Sequence, residues 1–120
     1  MYIKLLKSKI HRALITETDL EYEGSITIDA GLMKVSKIQN YEKVHILNIT
    51  NGNRFETYAI PGKENSGEIC VNGAAAHLVN LKDIIIIVSY CQIKQEHAKN
   101  YSPTIVLVDS NNQIVKQIYK

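Results

Sequence analysis

A side-chain period of two runs through much of this chain and restricts its fold more than any other feature. Ser25-Ile26-Thr27-Ile28-Asp29 alternates polar and apolar residues cleanly. That spacing puts the apolar side chains on one face of an extended strand. Residues 2–13 form a mixed run that reads as a strand with a polar face. Residues 44–50 and 54–60 are two β-rich runs with Asn51-Gly52-Asn53 between them. Asn-Gly tolerates positive φ at both positions, so a tight hairpin turn is predicted there. Residues 68–71 read as a strand that stops at Asn72-Gly73, and residues 74–78 as a short helical turn. Residues 83–90 carry a continuous β-branched run, which predicts a strand buried on both faces. Residues 104–109 form another strand after Pro103. Asn111-Asn112 is a turn, and residues 113–120 add one short strand. Only residues 30–37 space their apolar positions like a helix, with Asp29 as N-cap. Many short strands with one or two helical turns, and no repeat or linker, predict a mainly β closed barrel forming a single domain over residues 1–120.

Bulk properties exclude several classes of function. Hydrophobic residues make up 45% of the chain and charged residues 22%, as in a folded globular protein. No apolar stretch reaches the roughly 20 residues that span a bilayer. The N-terminal run to Lys7 is too short and too interrupted by lysines for a secretory signal, so a cytoplasmic location is expected. A net charge of +2, with lysines and acids interspersed, lacks the dense basic stripe of a nucleic-acid binder. Cys70 and Cys91 lack metal-ligand spacing and read as reduced, buried hydrophobes.

One short segment carries distinctive chemistry. In Tyr22-Glu23-Gly24-Ser25, glycine permits backbone shapes closed to other residues. In a distorted turn the Ser25 hydroxyl can attack the Gly24 carbonyl carbon and convert the peptide to an ester. β-Elimination then breaks the chain and leaves dehydroalanine. Hydration and loss of ammonia leave a pyruvoyl group at the new N-terminus. Arg54 and Tyr58 are four residues apart, so on a strand they project from one face. Asn72-Gly73-Ala74-Ala75 opens a helical turn, where backbone N–H groups favour anions.

Four separated motifs occur together: Lys9-Ile10-His11-Arg12, Tyr22-Glu23-Gly24-Ser25, the run from Asn48 to Ile60, and Val71-Asn72-Gly73-Ala74-Ala75-Ala76-His77. In this order and spacing they resemble the pyruvoyl-dependent aspartate 1-decarboxylase family, from Met1 to roughly Val108. Leu47 stands where that family is expected to have tryptophan.

The resemblance implies a double-psi β-barrel with short helices, a homotetramer, and active sites between neighbouring subunits. It implies cleavage between Gly24 and Ser25 into chains 1–24 and 25–120. Ser25 then becomes a covalent pyruvoyl cofactor whose ketone forms a Schiff base with L-aspartate, with neither a metal nor pyridoxal phosphate. The product is β-alanine, which feeds pantothenate and coenzyme A synthesis. Tyr58 is the implied proton donor to the carbanion left by CO₂. Thr57 is implied to donate to the Gly24 carbonyl oxygen during cleavage and to line the substrate site. Because Thr57 and Tyr58 face opposite ways on a regular strand, a bulge or two pockets are required. Arg54 is assigned to the substrate's side-chain carboxylate through paired hydrogen bonds. Lys9 adds positive charge, His11 serves processing by holding a water or a proton, and Asn72, Gly73, Ala74 and Ala75 contact substrate. His45, His77 and His97 read as structural. Cleavage, whether spontaneous or assisted by a maturation factor, separates this reading from an unprocessed barrel used as a binding or structural module.

Overall fold

The computed structural model describes residues 1–119, the side chain of Tyr119 excepted, and Lys120 of the expected last strand lies outside the described residues. Among the described residues nine strands occur: β1 (Tyr2–Leu14), β2 (Glu17–Asp19), β3 (Ser25–Asp29), β4 (Lys43–Asn48), β5 (Arg54–Gly62), β6 (Ile69–Asn72), β7 (Ile84–Lys94), β8 (Thr104–Val108) and β9 (Ile114–Tyr119). They are accompanied by one helix, α1 (Ala30–Ser36), and two 3-10 turns, Gly73–Leu78 and Gln95–Asn100. The sheet order is β2-β6-β3-β5-β4-β7-β1-β8-β9. β2 continues β1 past Ile15 and Thr16, so its pairing with β6 brings the strands back on themselves. The resulting ring, β6-β3-β5-β4-β7-β1/β2, is a mainly β barrel, with β8 and β9 attached outside β1.

Alternation fixes what fills the barrel. Ile26 and Ile28 of β3, Val44 and Ile46 of β4, and Ile85 and Ile87 of β7 have no exposed surface. Each such side chain contributes about 1.5–3 kcal/mol of burial free energy. The helix begins where expected, because the Asp29 carboxylate accepts from the Gly31 N–H at 2.7 Å. The same carboxylate also accepts from the backbone of Asn65 (3.0 Å) and Gly67 (2.8 Å), tying the β5–β6 connection to α1.

Three local expectations change. The hairpin connection is wider than an Asn-Gly turn, and of its residues only Gly52 takes positive φ, at 81°. Asn48 closes it instead: its side-chain oxygen accepts from the N–H groups of Thr50 and Asn51. Over residues 84–90, β7 is fully buried on one face, and on the other only Val88 is buried. Ile85 and Ile87 fill the core, while Ile84 and Ile86 face outward and stay half-exposed. The short strand β2 and the turn Gln95–Asn100 carry no alternation or capping signal strong enough to announce them. Of the two cysteines, both free, Cys70 is buried and Cys91 half-buried. Among the described residues, no helix is long and apolar enough to cross a membrane.

Candidate functional site

Ser25 is the first residue of β3 and is 1% exposed, although Gly24 before it is open to solvent. Its neighbours are set by register. Ile26 pairs with Val71 on β6 and with Ala59 on β5, and all three point into the core. One residue earlier on β3 and β5, and one later on the antiparallel β6, the side chains point outward. Ser25 therefore lies between Asn72 and Tyr58 on the barrel's outer surface.

Asn72 is the anchor. Its amide nitrogen lies 3.0 Å from Ser25 Oγ and 3.0 Å from Thr27 Oγ1, and Cys70 Sγ lies 3.2 Å from its Oδ1. Asn72 precedes the turn Gly73–Leu78 but does not cap it, because its side chain is committed to β3. Ser25 Oγ donates weakly to the Glu23 carbonyl at 3.4 Å.

Gly73 is required by contact. It has φ of 72°, and a Cβ there would lie 2.7 Å from Gly24 Cα and 2.8 Å from Gly24 N. Only a glycine with left-handed backbone lets the β6 turn close on the Gly24–Ser25 bond. Gly24 itself does not adopt positive φ, so what is special about this segment is its packing and not a left-handed turn. Ala74 is exposed and Ala75 half-buried at the rim.

Thr57 pairs with Val44, a core residue, and so faces away from Tyr58 on an unbroken stretch of β5. Among the described residues, no hydrogen bond joins Thr57 to Gly24 in this uncut chain. Tyr58 is half-buried, its ring 6.2 Å from that of Tyr41.

The remaining candidates gather elsewhere. Leu47 pairs with Arg54 on one side and Ile86 on the other. Ile86 in turn faces the bulge in β1 where His11 and Arg12 stand between Ile10 and Ala13, with Arg12 at φ of 67°. The neighbouring row is Lys9, Val88, His45 and Glu56. Both rows look outward. They border a shallow cavity of about 210 Å³ lined by His45, Leu47, Arg54, Phe55, Glu56 and Tyr90. His45 stacks edge-on against Tyr90 at 5.1 Å and lies 3.5 Å from Glu56, so its part there is structural. Lys43 bonds Glu56 at 3.1 Å and holds that carboxyl below its ordinary range. Burial, then Lys9 and Arg12, push His11 below the usual imidazole value, and its Nδ1 is buried without a partner among the described residues.

Two groups thus emerge from the predicted residues. Gly24, Ser25, Tyr58, Asn72 and Gly73 come together. Arg54, His11 and Lys9 form a cationic, partly apolar face that does not reach them. Arg54 is about 13 Å along β5 from Tyr58, and Lys9 lies on β1 opposite Val88 and Ile105, away from the β3–β6 pair that holds Ser25. Sequence reasoning passed over Thr27 and Cys70. The two-residue spacing from Ser25 and Asn72 was the signal that all four share one face.

The chain is thus a β-barrel protein that holds a buried serine hydroxyl at an exposed glycine–serine bond. A family model described as aspartate decarboxylase matches residues 1–115. The aspartate 1-decarboxylase of Clostridium botulinum (strain Loch Maree / Type A3) is 58% identical over 97% of this chain and 91% of its own. That of Caldicellulosiruptor bescii is 56% identical over 97% and 91%, and that of Legionella pneumophila (strain Paris) 57% over 94% and 85%. The chain belongs to the aspartate decarboxylase family.

Proposed function

We propose that this chain is a proenzyme that cuts itself between Gly24 and Ser25 and then converts L-aspartate to β-alanine and CO₂. Family membership supports the reaction. The observation that carries the self-cleavage is the Asn72 amide held 3.0 Å from a buried Ser25 Oγ, with Gly73 pressed against Gly24. In this reading residues 1–120 act as one decarboxylase unit, cut into chains 1–24 and 25–120. It works in the cytoplasm, and its β-alanine supplies pantothenate synthesis.

The donor from Asn72 stabilises negative charge on Oγ as its proton leaves. Once formed, the pyruvoyl group at residue 25 supplies an electron-accepting carbonyl for a substrate amine, so the residues present need only bind, orient and protonate. Tyr58, beside residue 25 on the same face, gives its phenolic proton to the carbon that loses CO₂. The half-buried wall of the barrel keeps that carbon away from bulk water. Thr57 takes part in processing only if the β5 backbone turns before cleavage.

A dianionic substrate needs cations. In one chain, Arg54 and Lys9 are too far from Ser25 for a molecule as short as aspartate to bridge. The half-exposed, outward Leu47 and Ile86 also call for cover. Both facts support an assembly, a homotetramer in this family reading, in which a second copy brings Arg54, Lys9 and His11 over Ser25. Arg54 then clamps the side-chain carboxylate bidentately.

Intact masses under denaturing conditions test this. Two fragments, the second beginning at residue 25 and resisting Edman sequencing, together with β-alanine formed from aspartate, are the expected result. A single uncut mass that persists after incubation with cell extract would leave an unprocessed barrel, serving as a binding module, as the function.

A further inference from the structure

The side chains around Asn72 form a closed hydrogen-bonding set. Ser25 pairs with Asn72 and Thr27 pairs with Cys70 across β3 and β6, so all four project from one face. Asn72 is 3% exposed and has a donor end and an acceptor end of nearly the same shape. Which end faces Ser25 is not decided by the hydroxyls, because serine and threonine either donate or accept. Cys70 decides it. A thiol donates but is a poor acceptor, so its contact at 3.2 Å selects the carbonyl oxygen of Asn72. Burial, reinforced by Glu17, Glu68 and Asp19, pushes the thiol up to about 11, so it keeps its proton at neutral pH.

The consequence falls on Ser25. With Oδ1 turned to Cys70, both amide hydrogens are spent on Ser25 Oγ and Thr27 Oγ1 at 3.0 Å each. Ser25 Oγ then accepts from Asn72, and its own proton points away, toward the Glu23 carbonyl. In the opposite orientation Ser25 would donate its proton to Asn72 and lose the stabilising donor.

We propose that Cys70 is a positioning residue for backbone cleavage, locking the Asn72 carboxamide in the orientation that donates to Ser25 Oγ, while Thr27 supports that orientation by taking the second amide hydrogen. The proposal rests on the reading that Gly24–Ser25 is the bond cut. In the first step, Oγ bonds to the Gly24 carbonyl carbon, the carbon–nitrogen bond breaks, and the hydroxyl proton ends on the freed Ser25 amine. In the second, the Ser25 Cα proton leaves, the Cβ–Oγ bond breaks, and Oγ departs as a carboxylate oxygen of Gly24. One water then enters and one ammonia leaves to give the pyruvoyl group. Oγ gains negative charge in both steps, as the hydroxyl proton leaves and as the carboxylate departs. A fixed N–H donor serves each.

Cell-free translation in a bacterial extract supplies uncut chain at time zero together with any maturation factor. The appearance of the 25–120 fragment on a gel gives a first-order rate. Cys70→Ala is expected to slow cleavage about ten-fold, the worth of one lost hydrogen bond, and Cys70→Ser to restore only part of it, because a hydroxyl donates to Oδ1 but also accepts from the flipped amide. Thr27→Val is expected to slow it by a smaller factor, and the double variant Cys70→Ala/Thr27→Val most of all. Thermal melting of the purified variants separates orientation from folding, with midpoints expected to stay close to the parent while rates fall. Hydroxylamine, which cleaves the ester, should release less fragment early in Cys70→Ala than in the parent. Cys70→Ala cleaving at the parent rate, or Cys70→Ser and Cys70→Ala slowing alike, would overturn the positioning role. Failure of the unsubstituted chain to cleave would instead overturn the reading of the bond on which the role rests.

Discussion

The Ser25 locus and the Arg54 face are built on opposite principles. Around Ser25, the side chains of Ser25, Thr27, Cys70 and Asn72 all have partners from the same chain. The hydroxyl is buried, and small residues fit against the bond. Around Arg54 the side chains are exposed or half-exposed, His11 Nδ1 lacks a partner among the described residues, and isoleucine and leucine look outward. The first region is finished within one chain and the second is not. In the proposed reading, cleavage draws on the first region alone, and binding of the dianionic substrate adds the second.

The largest effect should come from the hydroxyl. Ser25→Ala keeps the fold, because it removes one oxygen from a position whose backbone pairs with β6. It is expected to abolish cleavage, leaving one full-length mass and no β-alanine. Cleavage in that variant would mean the Ser25 locus is not where the chain is cut.

Next comes the outward row. Ile86→Asp puts a carboxylate between Leu47 and the His11 bulge. If that row is covered by a second copy, sedimentation should show smaller species and decarboxylation should disappear, while Gly24–Ser25 cleavage continues. Loss of cleavage as well would make the two regions one cooperative unit.

Arg54→Ala should lower kcat/KM on the order of 100-fold, as for a lost charge-assisted pair, with cleavage intact. Complementation sharpens the point. Ser25→Ala and Arg54→Ala chains are each deficient, and co-expressed they should regain activity if one copy supplies the serine site and another the guanidinium. No recovery would place Arg54 and Ser25 in the same copy's site.

The two regions were also unequally legible. Alternation announced β3, β4, β5 and the helix at Asp29, because each needs only local spacing and capping. The Gly24–Ser25 pair stood out only through its company of motifs. The role of Gly73 is a contact between segments about fifty residues apart. No local pattern encodes that contact. Likewise, the β-branched run of β7 shows that both faces are apolar, but not that the outer one awaits another molecule. The true hairpin connection depends on the Asn48 side chain, and Asn48 resembles any other polar strand end until the N–H groups that donate to it are seen.

The smallest effect is electrostatic. His11 sits in the unfinished region, where burial first, then Lys9 and Arg12, lower its pKa below the unfolded value near 6.5. As pH falls through about 6.5, the unfolded chain takes up a proton that the folded imidazole resists, so stability present above that pH declines until the folded group also titrates. His11→Gln removes the titration and should flatten the fall in melting temperature between about pH 7.5 and pH 5. If a second copy covers the row, His11 is more deeply desolvated in the assembly. The slope attributable to it should then be steeper in the parent protein than in the Ile86→Asp background. Equal slopes would mean that the face carrying Arg54 remains open to water, and that the outward isoleucines need another explanation.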